Sequence, residues 1–123
     1  MDKRISEAEL EVMEALWSAG RQLTAIEVAD KIPTKRDWSL PTVKTMLSRL
    51  VTKGAVDHER DGRRFLYSAA IQRDAYVGGE SRRLVDRLFG GRLSPLVARL
   101  AEEDALDADD IADIEKLLQG LKK

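Results

Sequence analysis

Residues 38–53, WSLPTVKTMLSRLVTK, decide how the rest of the chain is read. Val43, Met46, Leu47, Leu50 and Val51 recur at i, i+3, i+4, i+7 and i+8, the spacing of one helix face. Thr42, Lys44, Thr45, Ser48, Arg49, Thr52 and Lys53 fill the opposite face, which carries no carboxylate. Short hydroxyls and long cations are the groups that reach base edges and phosphates when a helix lies in a major groove. Ser39 is placed to cap the helix, Pro41 falls in its first turn, and Gly54 follows its last residue. The expectation is a helix with an apolar inner face and a polyanion-binding outer face. The plainer alternative is a surface helix whose polar side is solvated.

Upstream, Ser6-Glu7-Ala8-Glu9 and Thr24-Ala25-Ile26-Glu27 each pair a capping hydroxyl with a Glu three residues on. Leu10, Met13, Leu16 and Trp17 then predict a helix over 6–18, ended by Gly20. Ile26, Ala29 and Ile32, with Val28 beside them, predict a short helix over 24–32, stopped by Pro33. Residues 33–38 read as a loop. Two short helices before a third, polar-faced one suggest a helix-turn-helix.

Downstream the period changes to two. Residues 55–60, AVDHER, and 64–68, RFLYS, read as strands joined at Asp61-Gly62-Arg63, a hairpin signal. Arg60, Arg63 and Arg64 mark its tip, where cations can meet a phosphate backbone or a minor groove. A hairpin directly after a helix-turn-helix is the wing of a winged helix.

From Gln72 the pattern is helical again. Tyr76, Val77, Leu84, Val85, Leu88 and Phe89 fit one long helix, interrupted at Gly78-Gly79 and ended at Gly90-Gly91. Ser94-Pro95 opens another, Ser as cap, with Leu96, Val97 and Leu100 apolar. Asp107 caps a last one, striped by Ile111, Ile114, Leu117, Leu118 and Leu121, with Lys122 and Lys123 suiting its negative end. These helices hold much apolar surface on few residues, and a second copy is the simplest cover. The candidate dimerisation residues are Leu84, Leu88, Phe89, Leu96, Leu100, Ile111, Ile114, Leu117 and Leu118. The fold class is therefore mainly α with a small β-hairpin. Residues 1–71 would form a winged-helix DNA-binding domain and 72–123 a helical dimerisation region. A homodimer would set two heads on a dyad, facing two half-sites about one helical turn apart.

Charge is distributed to match. The net charge is −1, but residues 35–73 hold nine Lys or Arg against four Asp or Glu. Residues 100–123 hold three bases against eight acids. A basic middle between acidic ends puts the electrostatic footprint on the helix and hairpin.

Other function classes find little support. The single His, His58, sits in a strand between Asp57 and Glu59, and no Gly-rich phosphate loop appears, so no enzyme is expected. The absence of Cys removes disulfides and thiolate metal sites and suits a reducing cytoplasm. No metal or other cofactor is expected. No apolar run approaches the roughly 18 residues that span a membrane, and the N-terminus lacks the apolar centre of a signal peptide. A winged helix serving only as a protein–protein module is the alternative function, against which the acid-free helix face speaks.

Five segments, ISEAELEVMEALW, LTAIEVADKI, WSLPTVKTMLSRLVTKGAVDHERDGRRFLYSA, ESRRLVDRLFGG and LDADDIADIEKLL, together carry a resemblance. In them the chain resembles the penicillinase-repressor family of bacterial transcription factors (BlaI/MecI-type), nearly end to end. The resemblance implies a repressor that binds a dyad operator overlapping a promoter as a homodimer. It implies that Thr42, Lys44, Thr45, Ser48 and Arg49 face the major groove, and that Trp38 and Ser39 sit against the backbone at the helix start. Arg63 and Arg64 would belong to the wing. Lys53 joins Lys44, Arg49 and Arg63 as a cation expected on phosphates. In the family, a membrane sensor protease system detects β-lactams and has the repressor cut in its dimerisation helices. The best-known members are cut at an Asn-Phe pair; the matching pair here is Arg99-Leu100, a departure from that pattern. A copper-responsive branch uses C-terminal cysteines, which this chain does not have.

Overall fold

The computed structural model describes residues 4–122. Lys123, expected at the negative end of the last helix, lies outside the described residues, as do Met1–Lys3.

The first helix, α1 (Glu7–Ala19), starts on a reciprocal cap. The Glu9 N–H donates to Ser6 Oγ at 3.1 Å and the Ser6 N–H donates to Glu9 Oε1 at 2.9 Å. It ends at Gly20, whose φ of +64° suits a residue without Cβ. The second, α2 (Ala25–Lys31), carries the same reciprocal cap between Thr24 and Glu27. Its buried side differs from the expected stripe. Ala25, Val28 and Ile32 are buried, whereas Ile26 is 60% exposed. Successive i+3 steps from Ile26 drift by about 60° each, while 25, 28, 29 and 32 keep to one face.

The expected loop 33–38 contains one turn of 3₁₀ helix, Thr34–Arg36, closed by Asp37 at φ +51°. Then comes α3 (Leu40–Thr52), capped by Ser39, with Pro41 in its first turn. Val43, Leu47 and Leu50 are wholly buried, and Met46 and Val51 pack partly against them. With Val12, Met13, Leu16, Leu23, Val28 and Val56 they form the core.

The hairpin pairs β1 (Val56–Asp61) with β2 (Arg64–Ala69), antiparallel, from Val56 opposite Ala69 to Asp61 opposite Arg64. The turn is therefore Gly62-Arg63, with Asp61 drawn into the strand. Gly62 has φ +67° and Arg63 does not, as in a type II′ turn. A further strand-like bridge was not foreseen: Leu23 and Tyr67 exchange two backbone hydrogen bonds, of 2.8 and 2.9 Å.

The remaining helices are α4 (Arg73–Phe89), α5 (Ser94–Glu102) and α6 (Ala108–Leu121). Gly78-Gly79 does not interrupt α4, which runs unbroken. Ser94 is the first residue of α5 rather than its cap; Leu93, already helical, precedes it without a side-chain cap. The α6 cap is as expected, Asp107 accepting from the Asp110 N–H at 2.8 Å.

The chain divides into two compact units, one through Tyr76 and one from Val77. Three contacts secure the segment leading into α4, and its first turn, to α1. Trp17 Nε1 donates to the Ile71 carbonyl at 2.9 Å, Arg73 pairs with Glu14 at 2.8 Å, and Tyr76 lies 5.8 Å from the Trp17 ring. In the second unit Val85 is buried, while Leu84, Leu88, Leu100, Ile111, Leu117 and Leu118 are exposed and Phe89, Leu96 and Ile114 half-buried. Among the described residues no helix is long and apolar enough to cross a membrane.

Candidate nucleic-acid interface

The α3 residues with apolar neighbours inward leave Lys44, Thr45, Ser48 and Arg49 exposed and Thr42 half-exposed on the outer side. Among the described residues Lys44 and Arg49 have no hydrogen-bond or ion-pair partner. The hydroxyls are more committed. Ser39 Oγ accepts from the Thr42 N–H at 3.3 Å and lies 3.0 Å from Thr42 Oγ1. Thr45 Oγ1 donates to the Pro41 carbonyl at 3.0 Å. That bond uses its proton and leaves its lone pairs, so Thr45 is presented as an acceptor. Ser48 Oγ has no partner among the described residues, and Arg49 can present a bidentate fork. Trp38, half-buried, packs against the core at the start of α3, with the Arg36 guanidinium 5.3 Å from its ring centroid.

The wing separates its three arginines by role. Arg64 lies against Asp61, with Nη2 2.9 Å and Nε 3.1 Å from Oδ2. Arg60 donates to the Gly62 carbonyl at 3.2 Å and covers the Phe65 ring. Both build the turn. Arg63, at the tip, is exposed and has no partner among the described residues. Arg64, expected as a wing cation, therefore has its charge matched locally by a carboxylate.

Lys53 departs furthest from expectation. Its ammonium donates to Glu9 Oε1 at 2.6 Å and to the Arg4 carbonyl at 2.7 Å. Glu9 is 3% exposed, and a buried carboxylate without a cation is strongly unfavourable. Burial pushes the Glu9 carboxyl up, but the Lys53 hydrogen bond and the Ser6 N–H outweigh it and hold the group below the usual range. Lys53 thus ties the end of α3 to the start of α1 and is withdrawn from the phosphate-facing set. Spacing alone could not reveal this, because Glu9 and Lys53 are 44 residues apart.

Between α3, the start of α2 and the hairpin lies a cleft of about 500 Å³. Lys44, Ser48, Arg63 and Arg64 edge it, and Ile26, Phe65 and Tyr67 give it an apolar side. Among the described residues no carboxylate lines it. Sequence reasoning missed Ile26 here by assigning it to the core. On the hairpin, the His58 ring lies 5.2 Å from the Phe65 ring and 6.2 Å from the Tyr67 ring, in a partly exposed aromatic group.

Such a head, with an unneutralised cationic helix face beside a basic hairpin tip, suits a polyanionic duplex. Known proteins agree. The penicillinase repressor family model matches residues 5–120. The penicillinase repressor of Bacillus licheniformis is 34% identical over 119 residues, covering 97% of this chain and 92% of its own. The solution structure of the DNA-binding domain of the repressor BlaI superposes with a TM-score of 0.53 at 39% identity, covering 60% of this chain and 89% of that one. The Bacillus licheniformis BlaI monomeric form, solved in complex with the blaP half-operator, gives a TM-score of 0.50 at 40% identity, covering 59% and 88%. The chain belongs to the penicillinase repressor family, whose members are winged-helix transcriptional repressors and not enzymes.

Proposed function

We propose that the chain represses transcription by binding a dyad operator as a homodimer, with α3 in the major groove and the wing on the adjoining backbone. The observation that carries this is the outer side of α3, where Lys44 and Arg49 stand exposed and unpartnered among the described residues, next to Arg63. Lys44, Arg49 and Arg63 displace counterions and supply affinity. Thr42, Lys44, Thr45 and Ser48 meet base edges, each good bidentate contact being worth roughly 1–3 kcal/mol of discrimination. Trp38 and Ser39 approach the backbone where α3 begins.

The relative solved on a half-operator supports a site made of two halves, one for each protomer. The exposed apolar residues of the second unit support a second copy as their cover. In this reading a cytoplasmic dimer occupies promoters of β-lactamase-type genes and excludes polymerase. Anything that loosens the second unit then costs the effective concentration of the second head and releases the operator. Cutting at Arg99-Leu100 by a membrane sensor protease system is one such route. Both residues lie within α5, and Arg99 pairs with Glu103 at 2.9 Å, so that bond must first be opened by local unwinding.

The test is selection of bound duplexes from a random pool. The expected product is an inverted repeat, to which Arg49→Ala binds about tenfold or more weakly, as loss of a charged hydrogen bond requires. A pool showing no enrichment and no salt-dependent retention would overturn DNA as the ligand.

A further inference from the structure

The cleft beside α3 has two sides that a sugar–phosphate backbone would use unequally. One side offers Lys44 and Arg63, cations with no partner among the described residues. The other offers Phe65, 37% exposed, Tyr67, and Ile26, 60% exposed. Phosphate would engage the first side and leave the second wet. We propose that this cleft binds a small planar aromatic carboxylate, in competition with DNA, and so provides a release route that needs no proteolysis.

Size, shape and charge all favour that chemistry. A cleft of about 500 Å³ falls within the usual range of small-molecule sites, roughly 300–1,000 Å³. Arg60 and His58 already lie against Phe65, so a flat ring meets the remaining exposed part of that side chain edge-on, as aromatic pairs allow, with Ile26 against its other side. The Arg63 fork matches a carboxylate in two parallel hydrogen bonds, and Lys44 adds a point charge. Among the described residues no acid lines the cleft, and the nearby Asp61 carboxylate is paired with Arg64. Exclusion of DNA follows because Lys44, Ser48 and Arg63 border the cleft and also belong to the proposed DNA face. The inference rests on the DNA-binding reading only for this consequence; occupancy of the cleft does not depend on it.

The full chain is titrated with 2-naphthoate while isoleucine methyl resonances are followed, Ile111 and Ile114 serving as internal references. The expected result is a saturable ring-current shift at Ile26 and none at the references. Acetate, which lacks the ring, and 2-naphthalenemethanol, which lacks the charge, should leave Ile26 unmoved. Arg63→Ala should weaken naphthoate binding about tenfold. Ile26→Ala should weaken it several-fold while leaving duplex affinity unchanged, since Ile26 is exposed and outside the proposed DNA-contact set. In a second arm, naphthoate should displace a fluorescent duplex from the wild type and do so less effectively from Ile26→Ala. An unmoved Ile26 methyl, an equal response to the uncharged alcohol, or unchanged naphthoate binding at saturating duplex would each overturn the proposal. Failure of the DNA reading is seen separately, as absent duplex binding before any naphthoate is added.

Discussion

The unit through Tyr76 and the unit after it are both built largely of amphipathic helices, yet they treat their apolar side chains in opposite ways. In the first, Val12, Met13, Leu23, Val28, Val43, Leu47 and Leu50 have no exposed surface. In the second, Val85 is the one buried hydrophobic among the described residues, while Val77, Leu84, Leu88, Leu93, Leu100, Ile111, Leu117, Leu118 and Leu121 are exposed. Local signals do not cause the difference: the α6 box of Asp107 and Asp110 is built like the α1 box of Ser6 and Glu9. Capping decides that a helix forms, and burial decides what it serves. The first unit closes its own core; the second leaves most of its apolar stripes exposed.

Cavity formation gives the largest contrast. Leu47→Ala should destabilise the first unit by about 2–5 kcal/mol, because Leu47 is wholly buried. Leu117→Ala, at a residue 69% exposed, should change the stability of the isolated chain by less than about 0.5 kcal/mol. Urea melts at protein concentrations below dimerisation check both, and equal losses would erase the distinction. Truncation after Gly91 is next. A folded, monomeric head should remain, with operator affinity lowered on the order of a hundredfold through loss of the linked second head. Sedimentation and anisotropy measure the two parts, and a dimeric fragment would place the self-association in the head instead.

The same contrast explains what could be read from sequence. Ser6, Thr24, Ser39, Pro41, Gly20 and Asp107 act within one helical turn, and each does in the structure what its position predicts. Lys44, Thr45, Ser48 and Arg49 were legible for a similar reason, since helical spacing alone turns them away from Val43, Leu47 and Leu50. What was missed depends on distant partners. Lys53 shares a face with Arg49 by spacing, but the helix ends at Thr52 and a buried carboxylate 44 residues away claims its ammonium. The Leu23–Tyr67 bridge is equally remote in sequence. Arg64 lies in the wing as expected, but its pairing is local: closing the turn on Gly62-Arg63 places Asp61 directly opposite it.

The wing offers a smaller test inside the head. Arg63→Ala should lower the salt slope of duplex binding by about 0.9, one phosphate contact, with affinity reduced at every sequence. Arg64→Ala should change the slope less, because Asp61 already neutralises that charge. Anisotropy titrations across salt concentration decide the order. A larger effect from Arg64 would mean that its pair with Asp61 opens on DNA.

The smallest expected effect concerns pH and again separates the units, since Glu9 is the one buried charged residue among those described and lies in the head. Its carboxyl is held below the ordinary value of about 4.3, against the opposing push of burial, by Lys53 and the Ser6 N–H. A depressed folded-state value means that the unfolded chain takes up its proton first as pH falls. The stabilisation is therefore whole above the unfolded value and is lost as pH falls through the folded one. Other carboxylates also titrate there, so the useful quantity is the stability of the wild type minus that of Glu9→Gln. That difference should be level from pH 7 to pH 5, which lies above the unfolded value, and should shrink below it. The fragment ending at Gly91 should show the same profile as the whole chain. A difference that stays level through the acid range would mean that the ion pair orients α3 against α1 without adding charge-dependent stability, which is a role buried pairs are known to take.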